Sequence, residues 1–338
     1  MKVAILGATG LVGRRMLALL ADRPWADPDP VLLGSERSAG VPLDFRGRSI
    51  PGKAVTPEDF AGVEIALFSA GAAAGRRFGP VAAAAGAWVI DNSSAFRMDP
   101  DVPLVVPEIN GGLLAAAGRG AGGIIANPNC STIQIAMAAA PLERVFGLAE
   151  VHVTTLQAVS GAGQRALDEW RRQEDGVPPC DPPLFARPMA HNVLPCIGGP
   201  AADGSFEEEA KVVRELRKIL GRGSDLGVTC TAVRVPVQDG HSAAVRFVLQ
   251  READLEAAIA ALRGFPGLVV AEGPLDFATP REVAGGNAVH VGRLRRDPGQ
   301  PRALLAWVVA DNLLKGAAWN ALQIADLLAG HAGAGADR

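Results

Sequence analysis

Short apolar runs alternate with helix-spaced segments over the first third of the chain. Residues 2–6, Val31–Leu33, Ile65–Gly71 and Ala87–Ile90 each read as a short buried strand. The Leu and Ala spacing from Arg14 to Ala21 and the Ala-rich segment 72–86 read as helices between strands. That rhythm predicts βαβ units and a parallel sheet. The apolar run ahead of Asn127 is one more strand, and Asn127-Pro128-Asn129 a turn, because proline fixes φ and asparagine tolerates unusual backbone angles. Ser131–Ala140 then reads as a helix that ends at Pro141.

Beyond that helix the pattern changes. Val151 to Val159 alternates like a strand of a mixed or antiparallel sheet. Residues 177–200 contain too many breakers for regular structure and read as a packed functional or interface loop. Ser205 is the expected cap of an amphipathic helix running to Leu220, with an acid-rich first turn. Val228–Val237 and His241–Leu249 read as strands joined by Gln238-Asp239-Gly240. Ala303–Val309 is another strand and Lys315–Ala329 a terminal helix, followed by a Gly- and Ala-rich tail expected to fray.

Composition narrows the class. The chain has 338 residues, enough for two domains, and 49% hydrophobic against 20% charged residues supports a substantial core. A net charge of −3 with scattered Lys and Arg gives no electrostatic footprint for nucleic acid. The N-terminus enters a strand-like run without the three regions of a signal peptide, and no apolar stretch approaches the ~20 residues of a membrane span. Four cysteines, at 130, 180, 196 and 230, form no C-x-x-C pair and argue for no disulfide framework. The chain therefore reads as cytoplasmic, soluble and reduced. His152, His191 and His290 have no partners that would make a metal site.

Candidate chemistry gathers at strand ends. Gly7, Gly10 and Gly13 follow a strand and open a helix, a variant of the dinucleotide fingerprint that lets the backbone approach a pyrophosphate; the alternative is an ordinary tight turn. After the second strand, Glu36 suits a ribose 2′-hydroxyl and Arg37 a 2′-phosphate. With Ser38 beside it, Arg37 favours NADP, while Glu36 keeps NAD open. Asp91 to Arg97 is a polar loop at a strand's carboxyl end, and Arg97 is either a solvated charge or an anion clamp. Cys130 sits where a strand stops and a helix begins. Orphan N–H groups and the helix dipole there lower a thiol from its free value of ~8.5 towards the nucleophilic thiolate. The alternative for Cys130 is a small core hydrophobe.

Eight motifs, in order, carry a resemblance: Gly7-Ala-Thr-Gly-Leu-Val-Gly13, Arg37-Ser-Ala-Gly40, Asp91-Asn-Ser-Ser-Ala-Phe-Arg97, Asn127-Pro-Asn-Cys-Ser-Thr-Ile-Gln134, Gln157-Ala-Val-Ser-Gly-Ala-Gly163, Arg234-Val-Pro-Val, Gly240-His-Ser and Asp311-Asn-Leu-Leu-Lys-Gly-Ala-Ala-Trp-Asn320. Over nearly its whole length the chain resembles the aspartate-semialdehyde dehydrogenase family. The resemblance implies an α/β fold. Its N-terminal Rossmann-type NADP-binding domain spans 1–128 and takes back 312–338. A second α+β catalytic and dimerisation domain on a mixed sheet spans 129–311. It implies the reversible NADP-dependent reduction of L-aspartyl 4-phosphate to L-aspartate 4-semialdehyde and phosphate, in lysine, threonine and methionine synthesis, by a homodimer or a dimer of dimers.

The roles transfer by position. Cys130 resembles the acyl-thioester nucleophile, His241 the acid/base histidine and Gln157 the amide that orients substrate. Arg234 resembles the α-carboxylate clamp and Glu208 the partner of the ammonium. Lys211 and Arg97 resemble the phosphate binders, and Asn129 lies beside the thiol as a substrate contact. Gly7, Thr9, Gly10, Leu11, Val12, Gly13, Arg37, Ser38, Ser160, Gly161 and Asn312 match NADP contacts. Three consecutive glutamates, Glu207 to Glu209, leave the helix register open by one. Ala243 stands where many members carry Glu or Gln, which leaves open what supports His241. The nearest rival is N-acetyl-γ-glutamyl-phosphate reductase, whose neutral amide would give Glu208 no ammonium to face. A non-catalytic dinucleotide-binding relative or a thiol hydrolase are the other readings.

Overall fold

A computed structural model describes residues 1–115, 122–252 and 254–330. The elements begin β1 (Val3–Leu6), α1 (Leu11–Ala21), β2 (Val31–Gly34), β3 (Pro42–Phe45), β4 (Arg48–Pro51), β5 (Lys53–Ala54), β6 (Ile65–Phe68), α2 (Ala72–Ala84), β7 (Trp88–Asp91), α3 (Pro107–Asn110) and β8 (Gly123–Ala126). They continue with α4 (Cys130–Phe146), β9 (Leu148–Gln157), α5 (Gln164–Glu174), α6 (Glu207–Ile219), β10 (Gly227–Arg234) and β11 (His241–Leu249). The last are α7 (Leu255–Arg263), β12 (Leu268–Val270), α8 (Pro280–Val283), β13 (Val289–Asp297), β14 (Gln300–Ala310) and α9 (Trp319–Leu328). The Gly- and Ala-rich tail, residues 331–338, lies outside the described residues. Among those described, no helix is long and apolar enough to cross a membrane.

The chain divides into two compact units, one of Met1–Asn129 with the chain from Ala317 on, the other Cys130–Gly316. In the first, six strands pair in the order β5-β2-β1-β6-β7-β8, every pair parallel. Each of the four β1 residues is buried, and alternate ones serve opposite layers. Val3 and Ile5 pack with Met16 and Leu20 of α1 and Leu322 of α9, whereas Ala4 and Leu6 pack with Phe60 and Phe78. This explains why the strands read as continuous apolar runs, since both faces are covered. The return of α9 is locked by Asp326, which accepts from Arg23 Nη2 at 3.0 Å and from Trp25 Nε1 at 2.8 Å.

The second unit is a six-stranded mixed sheet in the order β10-β9-β11-β14-β13-β12. The expected mixed sheet is there, but β10 and β11 are not hairpin partners: β9 lies between them, parallel to β10 and antiparallel to β11. The Gln238-Asp239-Gly240 turn therefore belongs to a crossover over β9. One face is covered by α4, α6 and α7. The other presents exposed Thr154, Thr229, Thr231 and Ala244, with Ala244 directly opposite Thr154.

Three local expectations change. Helix α4 does not stop at Pro141 but continues to Phe146. A mid-helix proline costs about 3 kcal/mol, yet every residue from Ser131 to Leu142 is buried, and each large apolar side chain there returns roughly 1.5–3 kcal/mol. Helix α6 starts at Glu207, not behind a Ser205 cap. The Glu209 carboxylate reaches back to the Phe206 N–H at 2.8 Å, while the Ser205 hydroxyl donates to Asp203. Lys315–Ala329 is not one α-helix, because a π-helical turn, Leu314–Ala318, precedes α9.

Candidate active site

Three strand ends meet at one edge of the second sheet. β9 and β10 finish at Gln157 and Arg234, which are register partners, and antiparallel β11 begins at His241, one step beyond the Ser242–Leu156 pair. Register partners share a face. Arg234, Gln157 and His241 are thus set abreast on the buried, helix-covered side, exposed by 5%, 1% and 0%. Cys130 opens α4, which packs on that same face. An added Cβ at Gly316 would lie 3.1 Å from the Cys130 Cβ and 3.4 Å from the Asp311 carbonyl oxygen. Asp311 follows Ala310, the residue paired with His241. The tight approach at Gly316 therefore ties Cys130 to the strand beside the histidine.

Arg234 is the electrostatic centre. Burial pushes its pKa down, while Glu208 and Cys130 hold the guanidinium charge in place. Its Nη1 donates to the Ala158 carbonyl at 2.7 Å, and its backbone is clamped on both sides by Leu194, at 2.8 and 2.9 Å. Leu194 lies in the proline-rich stretch, which has no helix or strand between α5 and α6, as expected. Full burial, with Arg234 beside it, holds His241 well below the ordinary imidazole value. Ala158 N–H donates to His241 Nδ1 at 3.0 Å, so a backbone group supports the ring where Ala243 offers none. Asn312 braces the site: its Oδ1 accepts from Gly240 N–H at 2.8 Å, and its Nδ2 donates to Ser160 Oγ at 3.0 Å. Gln157 donates from Nε2 to Thr155 Oγ1 at 3.3 Å.

The carboxylates of the acid-rich turn meet different groups. Glu209 accepts the N–H groups of Phe206 and Ala232, and it is Glu208, 7% exposed, whose charge reaches Arg234. Lys211 Nζ lies 3.4 Å from Glu208. Two of the other thiols, Cys230 and Cys180, are held towards the protonated form. Burial, with Glu209 and Glu208 adding to it, pushes Cys230 up to about 12, and a hydrogen bond to Glu169 raises Cys180.

In the first unit, Arg97 donates to the carbonyls of Asn127 (2.9 Å) and Asn92 (2.7 Å). Asn320 Nδ2 donates to Asn127 Oδ1 at 2.7 Å. These bonds fix the turn that carries Asn129, 6% exposed, into α4. Sequence alone gives no role to Ala158, Thr155, Asn320 or Gly316. Ala158 acts through its backbone, which leaves no sequence signal; Gly316 and Asn320 lie in a motif whose small and amide residues were a usable hint.

The glycine turn after β1 is built for close backbone approach. Gly7 has φ +89° and an added Cβ would overlap the Ser69 carbonyl, while a Cβ at Gly13 would overlap that of Gly7. Only glycine permits these approaches, which pack the turn after β1 against the Ser69 carbonyl and let α1 start tightly upon it. Next to it a cavity of about 610 Å³ is lined by Gly34, Glu36, Arg37, Thr56 and Arg77. Ser38 turns its hydroxyl back to the Ser35 carbonyl at 2.8 Å.

Residues 2–117 match the family model described as semialdehyde dehydrogenase, NAD binding domain, and residues 139–315 match semialdehyde dehydrogenase, dimerisation domain. Aspartate-semialdehyde dehydrogenase from Bacillus subtilis (strain 168) is 42% identical over 96% of both chains. The protein of that name from Aquifex aeolicus (strain VF5) is 43% identical over 97% of both. Among solved structures, aspartate semialdehyde dehydrogenase II from Vibrio cholerae, complexed with ASA, superposes with a TM-score of 0.91 at 42% identity, covering 97% of each chain. The Candida albicans enzyme with NADP gives 0.76 at 26% identity, covering 97% of this chain and 98% of that one.

Proposed function

The chain belongs to the aspartate-semialdehyde dehydrogenase family, and on that premise we propose that Cys130 carries the reaction as an acyl-thioester nucleophile. The chain is an NADP-dependent oxidoreductase of amino-acid biosynthesis that interconverts L-aspartyl 4-phosphate with L-aspartate 4-semialdehyde and phosphate. The observation that carries the proposed site is the strand register that sets Arg234, Gln157 and His241 abreast, with Cys130 within the field of Arg234.

A thioester divides the exchange of phosphate for hydride at one carbonyl into two easier steps. Cys130 attacks that carbonyl, Gln157 orients the substrate beside the sulfur, and His241 is the acid/base group for the adduct. Arg234 offers a planar fork for the substrate α-carboxylate. Glu208 takes the ammonium, with Asn129 as a further substrate contact. Lys211 and Arg97 are the cations for phosphate. Gly7, Thr9, Gly10, Leu11, Val12 and Gly13 would cradle the pyrophosphate of NADP, Arg37 and Ser38 its 2′-phosphate, and Ser160, Gly161 and Asn312 the remaining contacts; the bound cofactor supplies the hydride carrier. The enzyme works as a homodimer through the open face of the second sheet, where Thr154, Thr229, Thr231 and Ala244 are exposed.

The test is NADPH formation from aspartate semialdehyde with and without phosphate. Wild-type enzyme should depend on phosphate, Cys130→Ala should lose turnover, and N-acetylglutamate semialdehyde should not substitute. Normal turnover by Cys130→Ala would overturn the mechanism, and preference for the acetylated substrate would favour the rival reductase.

A further inference from the structure

We propose that Gln173, paired with Glu169 on α5, is a positioning residue for substrate recognition: it anchors the segment 189–199, which sets the spacing between Arg234 and Glu208. The inference rests on the reading above that these two side chains take the substrate α-carboxylate and ammonium. It adds what holds them at a fixed separation.

The anchor begins with two polar side chains one helical turn apart. Glu169 and Gln173 are buried, 5% and 9% exposed, on the face of α5 that also carries Ala166. A buried amide or carboxylate is costly unless its hydrogen-bonding atoms are met. Here the partners lie within the pair and in the proline-rich stretch. Gln173 Nε2 donates to Glu169 Oε1 at 3.0 Å, and the second Glu169 oxygen accepts Cys180 N–H at 3.3 Å. Gln173 Oε1 accepts two successive backbone donors, Met189 N–H at 2.6 Å and Ala190 N–H at 3.2 Å. Met189 is itself fully buried. A stretch without helix or strand thus finds on α5 the partners its backbone would otherwise lack.

From that anchor the segment reaches both clamps. Leu194 and Arg234 exchange two backbone hydrogen bonds, at 2.8 and 2.9 Å. Three residues on, the Ile197 carbonyl accepts Glu208 N–H at 3.3 Å, and the Gly199 carbonyl accepts Glu207 N–H at 2.9 Å, where the first turn of α6 needs partners. Gly198 between them has φ +84°, and an added Cβ would lie 2.9 Å from the Glu207 Cβ, so the chain presses closely on the helix start. Residues 194–197 therefore form a strut from the base of the cation to the base of the carboxylate. The substrate carries its carboxylate and ammonium on one carbon, so a shift of one clamp against the other weakens both contacts. Helix α6 has a separate tie to β10, since Glu209 accepts Ala232 N–H at 3.0 Å. Losing the anchor loosens the spacing without releasing the helix.

Steady-state kinetics of the full-length enzyme, with aspartate semialdehyde varied at saturating NADP and phosphate, provide the test. Gln173→Ala removes the acceptor for Met189 and Ala190. It should raise KM at least about tenfold while kcat changes less than about threefold, the split expected when binding remote from the reacting carbon is lost. A KM within about twofold of wild type would overturn the proposal. So would a variant whose thermal midpoint and active fraction fall while KM stays put, since that is a purely structural role. Exchanging the pair supplies the rescue. Gln173→Glu sets two carboxylates against each other and should raise KM as well. Adding Glu169→Gln restores one amide and one carboxylate, with each bond remade in exchanged roles, and should return KM to within about threefold of wild type. No recovery in the exchanged pair would contradict the anchor. Arg234→Lys separates the two readings. An unchanged KM there removes the carboxylate clamp and the parent reading with it, whereas a raised KM there beside an unchanged one in Gln173→Ala sinks the anchor alone.

Discussion

Arg234 directs one guanidinium nitrogen to the Ala158 carbonyl and is held in a buried setting by Glu208 and Cys130, so its value lies in shape as well as charge. Lysine keeps the charge but not the planar fork. In Arg234→Lys, KM for aspartate semialdehyde should rise roughly 30-fold or more, the ~2 kcal/mol lower end for losing one partner of a buried charged hydrogen bond. NADPH affinity, measured by fluorescence titration, should not change. His241 gives a pH prediction with a definite sign. Its folded pKa lies well below its unfolded value of ~6.5, so the unfolded chain takes up the proton first. Stability is then lost as pH falls below about 6.5. The thermal midpoint of His241→Gln should drop less than that of wild type between neutral pH and about pH 5. An identical drop in both would show that His241 is not the group responsible.

At the scale of the element, the strand–turn–helix from β1 to α1 is the most constrained piece of the first unit. A Cβ on Gly13 has nowhere to go except into the Gly7 carbonyl, so Gly13→Ala should abolish detectable NADPH binding in calorimetry. Intact binding would mean the turn is not the pyrophosphate cradle. This element is legible in the sequence because three glycines at fixed spacing, between an apolar strand and a helix, mark a turn whose backbone must stay uncovered. The extent of α4 is not legible: Pro141 is a local helix breaker, and only its burial against the sheet overrides that. Strand β13 escapes a sequence reading because its second half, Arg293 to Arg296, carries three arginines and obscures the apolar period. The crossover between β10 and β11 is hidden by different physics. A short turn is equally compatible with a hairpin, and only the partner strand β9 decides.

At the scale of the molecule, the second unit covers one face of its sheet with helices and leaves the other with Thr154, Thr229, Thr231 and Ala244 exposed. Sequence alternation predicts a two-faced sheet, but not that all these positions line up across three strands, which depends on register. If this face joins two copies, Ala244→Glu places like charges together at the interface. Light scattering should then report a monomer with unchanged far-UV circular dichroism. A stable dimer would move the interface elsewhere.

The central claim is that the acyl group passes through the sulfur at the head of α4. The most direct measurement is mass spectrometry of enzyme mixed with aspartate semialdehyde and NADP without phosphate, then digested. The account predicts one aspartyl group on the peptide containing Cys130, lost when phosphate is added before quenching. NADPH formation with that peptide unmodified, or with the acyl group on Cys180, Cys196 or Cys230, would contradict it.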